Sequence, residues 1–64
     1  MYNREQLESF VRSLDQLIDT ALDSIKKGKA TGNDWLVQQA ERSLQFAKRE
    51  RQYYLDRLNS LEEE

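Results

Sequence analysis

The sequence predicts an all-α fold, an antiparallel two-helix hairpin, and three observations carry that prediction. The 64 residues include no proline and two glycines, with 34% charged and 38% hydrophobic residues, a balance typical of long water-facing helices. Apolar residues recur in steps of three and four on both sides of a single break. That break, Gly28 to Asn33, is short enough to return the second helix antiparallel to the first. The expected layout is one helical-hairpin domain, with helix one at about 4–27, the turn at about 28–33 and helix two at about 34–61.

Helix one has a well-formed start. Asn3 is placed to cap it, Gln6 three residues on completes a capping-box pair, and Tyr2 is placed to staple onto Leu7. Leu7, Phe10, Val11, Leu14, Leu17, Ile18, Ala21, Leu22 and Ile25 then hold one apolar face, while Glu8, Arg12, Asp15, Asp19 and Asp23 lie off it. Lys26 and Lys27 suit the negative end of the helix dipole, and Gly28 is expected as the left-handed residue that ends the helix. Either Thr31 with Asp34, or Asn33 alone, is placed to cap helix two. At its far end, Glu62, Glu63 and Glu64 put negative charge where the dipole disfavours it, which predicts fraying.

Helix two carries two stripes where an ordinary amphipathic helix has one. Val37, Ala40, Leu44, Ala47, Arg51, Tyr54, Leu58 and Leu61 face the hairpin seam. Folding the chain about a turn centred in 28–33 pairs Ile25 with Leu36, Ile18 with Leu44, Leu14 with Ala47 and Leu7 with Tyr54. Arg51 interrupts the seam, and its stem is expected to cover apolar surface while its guanidinium reaches water or a carboxylate. The second stripe, Trp35, Phe46 and Tyr53, falls roughly opposite the first and is interleaved with Arg42, Arg49 and Arg57. A lone hairpin buries one face of each helix. The surplus face therefore predicts a partner, and Trp35, Arg42, Phe46, Arg49 and Tyr53 are the candidate binding residues, since aromatics and arginine are enriched in interfaces.

Composition narrows the chemistry. Without histidine or cysteine the usual nucleophile and base arrangements are missing, and the glycines read as turn residues with no phosphate-binding loop. Neither an enzyme nor a cofactor is expected. Asp15, Asp19 and Asp23 align along one side of helix one, but a calcium site needs six to eight oxygens gathered by a loop, so a solvated acidic flank meeting Arg42 or Lys48 is expected instead. A chain this small, with no disulfide or zinc site, is expected to gain its remaining stability by self-association into a helical bundle. The net charge of −2 disfavours a dedicated nucleic-acid binder, although aromatics stacked on unpaired bases with arginines on phosphate form a rival RNA- or DNA-binding reading. A small helical inhibitor of a host enzyme is a third reading. The opening residues lack a signal-peptide pattern and no apolar run approaches a membrane span, so a cytoplasmic setting is expected.

The opening Met1-Tyr2-Asn3-Arg4-Glu5-Gln6-Leu7-Glu8 and the run Leu14-Asp15-Gln16-Leu17-Ile18 resemble the start of small phage head-tail joining proteins of the gpW-like group. The resemblance covers about a third of the chain. It implies a short non-enzymatic protein that assembles in rings, placed in the host cytoplasm or the virion. That group carries a β-hairpin between its helices, whereas the middle here has no alternating strand residues. In architecture alone, a hairpin of this length is similar to the Rop-type plasmid regulator, a dimeric four-helix bundle that binds paired RNA loops.

Overall fold

The computed structural model describes residues 2–63, with side chains described as far as Leu61. Two α-helices, α1 (Arg4–Thr31) and α2 (Asp34–Glu63), pack side by side in a rod of 49 × 15 × 14 Å. The fold is the expected all-α helical hairpin. The expected fraying concerns Glu64 and the side chains of Glu62 and Glu63, which lie outside the described residues.

The capping box forms as the sequence requires. The Asn3 side chain accepts from the Gln6 amide at 2.8 Å, and the Gln6 side chain accepts from the Asn3 amide at 3.0 Å. These bonds satisfy two donors that the first helical turn leaves open. Tyr2 also makes ring contacts beyond the expected staple. Its ring meets Phe10 edge-on at 5.1 Å and Tyr54 at 6.3 Å, and Phe10 lies 4.9 Å from Tyr54. Three rings thus close the open end of the hairpin.

The turn departs most from expectation. Helix α1 runs four residues beyond Lys27, through Gly28, and the connection shrinks to Gly32 and Asn33. Gly32, at φ 68°, is the left-handed residue, and the Gly32 and Asn33 amides donate back to Lys29 and Gly28 carbonyls at 3.4 and 2.8 Å. Asn33 then turns to its second task. Its side chain accepts from the Leu36 amide at 3.1 Å and its carbonyl from Val37 at 3.2 Å, so one residue both closes α1 and caps α2.

Gly28 is needed for a different reason. It is buried in the seam, where a Cβ would stand 2.7 Å from Val37 Cγ2 and 3.2 Å from the Asn33 carbonyl oxygen and the Val37 nitrogen. Leu7, Leu14, Ala21 and Gly28 are the buried residues of α1, spaced every seven positions and diminishing in size toward the turn. Ala40, Leu44 and Ala47 are the buried residues opposite them.

The shorter turn shifts the expected pairing by about one helical turn. Tyr54 lies against Phe10, Arg51 against Asp15, and Val37 against Gly28. Arg51 Nε donates to Asp15 Oδ1 at 2.6 Å, across the seam, with both side chains about half exposed. Of the acidic row, Asp15 therefore meets Arg51 in place of Arg42 or Lys48, and Asp23 pairs with Lys27 at 3.0 Å on its own helix. Among the described residues no helix is long and apolar enough to cross a membrane.

Candidate interaction surface

Helical periodicity puts Trp35, Arg42, Phe46, Arg49 and Tyr53 on one flank of α2, and the structure leaves all five exposed. The aromatics keep large areas in water: Trp35 is 68%, Phe46 52% and Tyr53 46% exposed. At 1.5 Å per residue, the stripe from Trp35 to Tyr53 runs about 27 Å along the helix. It does not converge on a pocket. Trp35 stands beside the turn, Phe46 near mid-length and Tyr53 near the open end, with Arg42 and Arg49 in the gaps.

Tyr53 is the most organised of the five. Its ring packs edge-on against Tyr54 at 5.2 Å, and Arg57 donates from Nη2 to its hydroxyl at 2.7 Å with the guanidinium carbon 5.0 Å from the ring centre. Arg57 therefore belongs to the surface although it falls outside the five candidates; its position four residues after Tyr53 is the signal that finds it. Arg42 instead lines a shallow hollow on α2 with Gln38, Glu41, Leu44 and Gln45.

Phe46 is not fully opposite the seam. It reaches the edge of a groove between the helices, beside Phe10, Ser13, Leu14, Glu50 and Tyr54, around a cavity of about 220 Å³. A second hollow of about 230 Å³ continues the groove toward the turn, floored by Ala21 and Ala40 and walled by Leu17, Leu36, Ser24 and Ser43. Leu17, itself 49% exposed, faces it. The α1 side of this groove sets Phe10, Leu14, Leu17 and Ala21 beside Ser13, Thr20 and Ser24, and these last three belong to a polar, uncharged row. Gln6, Ser9, Ser13, Gln16, Thr20 and Ser24 follow one another in steps of three and four, whereas Glu8, Arg12, Asp15, Asp19 and Asp23 occupy the other flank. Among the described residues lining the two hollows, Glu50 is the one charged group.

Electrostatics at the open end follow from packing. Burial beside the ring cluster pushes the Tyr54 hydroxyl above its ordinary 10, with Tyr2, Glu50 and Tyr53 adding to the rise. No group of three or more potential ligands that could hold a metal exists among the described residues. The surface presents rings, small hydroxyls and a few arginines.

The comparisons add no family. No protein-family model matches the chain, and neither the curated proteins nor the solved structures give a significant match.

Proposed function

We propose that this chain is a non-enzymatic protein-interaction or assembly module that binds through the second face of α2. The observation that carries the reading is the exposure of Trp35, Phe46 and Tyr53 on one flank of a 30-residue helix whose other flank already serves the seam. Large rings held in water on a rigid rod gain free energy when covered, at roughly 25 cal/mol for each Å² removed from water. Arg42 and Arg49 border the rings as a polar rim, an arrangement that suits a protein partner. The N-terminal resemblance to head-tail joining proteins supports a phage structural or adaptor setting for such a module, in the host cytoplasm or the virion.

The test is a photo-cross-linking amino acid placed at Tyr53 and, as a control on the acidic flank, at Asp19, followed by illumination in cells that express the chain. Protein adducts at position 53 and none at 19 are expected. Equal labelling at both positions, or none at 53, overturns the reading. Adducts to RNA or DNA alone at 53 would replace it with the nucleic-acid reading, whose binding weakens steeply with salt.

A further inference from the structure

We infer that the exposed flank of α2 is a second helix-packing seam, and that the segment it takes is an acidic amphipathic helix from another protein. This rests on the interaction-module reading and supplies the chemistry of the partner.

Period selects a helix. The rows that meet inside the hairpin repeat every seven residues, Leu7, Leu14, Ala21 and Gly28 on α1 and Ala40, Ala47 and Tyr54 on α2. Helices with such a repeat stay in contact along their length by coiling gently about one another. The exposed flank of α2 keeps the same period. Gln39, Phe46 and Tyr53 each precede a residue of the buried row, and Trp35, Arg42 and Arg49 stand four residues before those three. The outer rows therefore begin roughly 100° round α2 from the hairpin seam and run parallel to it. Arg42 with Phe46 and Arg49 with Tyr53 are one pairing used twice, about 10.5 Å apart. A partner helix can follow this repeat in phase over the full stripe of about 27 Å, which takes about 18 residues. A β-strand turns its side chains to opposite faces at every step and has no period of seven to match.

Charge selects acidity. Residues 42–57 hold a surplus of three positive charges within a chain whose net charge is −2. Arg51 is engaged with Asp15, and Asp56, the next member of the outer row, accepts from Gln52 at 2.9 Å. The side chains of Arg42 and Arg49 make no hydrogen bond or ion pair among the described residues. Carboxylates seven positions apart on a facing helix recur at the same spacing of about 10.5 Å, so two of them meet both guanidiniums while apolar side chains between them cover Phe46 and Tyr53. Glu50, half-buried beside Phe46, decides against a polyanion. A helix can set a neutral residue against it, whereas a nucleic-acid strand carries charge at every step. Tyr53 is already held by Arg57 and Tyr54, so covering it freezes little further motion.

Trp35 is the one tryptophan of the chain and is 68% exposed, so its fluorescence reports directly on covering of the stripe. The probe is a helical peptide of about three heptads with leucine and glutamate on one face, compared with the same peptide carrying lysine for glutamate. The glutamate peptide should shift Trp35 emission to shorter wavelength and bind at least about tenfold more tightly than the lysine peptide, with the gap narrowing as salt is raised. Arg42→Glu combined with Arg49→Glu should reverse the preference. Arg12→Glu combined with Lys26→Glu alters the net charge equally on exposed positions of α1 and should leave the preference as it was. Equal affinity for the two peptides, binding without an emission shift, an α1 pair as effective as the α2 pair, or tighter binding of a single-stranded oligonucleotide overturns the inference. If position 53 yields protein adducts in cells while the two peptides bind alike, the acidic helix falls and the interaction module stands. A peptide preference with no adduct at 53 keeps the seam and removes the module.

Discussion

Replacing Gly28 with alanine should destabilise the hairpin, although helix propensity alone says the opposite. Within a helix the exchange gains about 1 kcal/mol. Against that, the new methyl would sit 2.7 Å from Val37 Cγ2, a branched side chain with little freedom, and 3.2 Å from the Asn33 carbonyl oxygen and the Val37 nitrogen, backbone atoms that cannot yield without moving the start of α2. Overpacking of this kind costs about 1–3 kcal/mol, so the net effect is a loss of about 1 kcal/mol. For a domain of this size that lowers the melting temperature by about 4–8 °C. The assay is thermal and urea unfolding followed by circular dichroism at one fixed protein concentration. Adding Val37→Ala isolates the cause: it removes the 2.7 Å contact and leaves the two backbone ones, so the double variant should be more stable than the sum of the single losses by about 1 kcal/mol. A Gly28→Ala chain more stable than the parent would refute the close approach of the helices. Gly32→Ala is the contrast. Nothing lies within 4 Å of its Cβ position, so its cost, about 1–2 kcal/mol, comes wholly from the left-handed φ of 68° and should not respond to Val37→Ala.

Three further outcomes test the packing. Tyr54 has a raised pKa in the fold, so the stability it contributes is complete below about pH 10, where the unfolded tyrosine begins to ionise, and is lost as pH rises through the folded value. Urea midpoints should fall above that pH in the parent and fall less in Tyr54→Phe; an equal fall in both would remove the assignment. Arg51→Leu should hold or raise stability by up to about 1 kcal/mol, since a half-exposed pair contributes little and an apolar side chain suits the seam. A clear drop in urea midpoint would show that the Asp15 contact matters more than its exposure implies. Asn33→Ala should cost about 1 kcal/mol through loss of the α2 cap, checked by the same unfolding curves, and Asn33→Asp should restore most of it.

Much of the fold was legible in local patterns. The capping box of Asn3 and Gln6 depends on residues three apart, and the apolar stripes depend on steps of three and four, so neither requires knowledge of the partner helix. The end of α1 was not legible in the same way, because Gly28 and Gly32 both satisfy the signal for a left-handed stop. The spacing that decides between them is Leu7, Leu14, Ala21, Gly28, which enrols the first glycine in the seam and leaves the second for the turn. Misplacing the turn then slid the cross-helix pairs. The Tyr2 contact with Tyr54 was not legible, because it exists only once the cross-helix register is set. At the candidate surface, the exposure of Trp35, Phe46 and Tyr53 follows from helical angle, but the groove beside Phe46 does not. Its α1 wall sets Ser13, Thr20 and Ser24 beside Phe10, Leu14, Leu17 and Ala21, and the small polar residues are types that a search for apolar stripes passes over.

Asn33 holds the carbonyl of Gly28 with its amide and the amide of Leu36 with its side chain, leaving no slack between the helices. The connection is therefore a rigid coupling: the azimuth of α2 about its own axis is fixed by the last turn of α1. Turning the aromatic flank of α2 relative to α1 therefore requires breaking these Asn33 hydrogen bonds first.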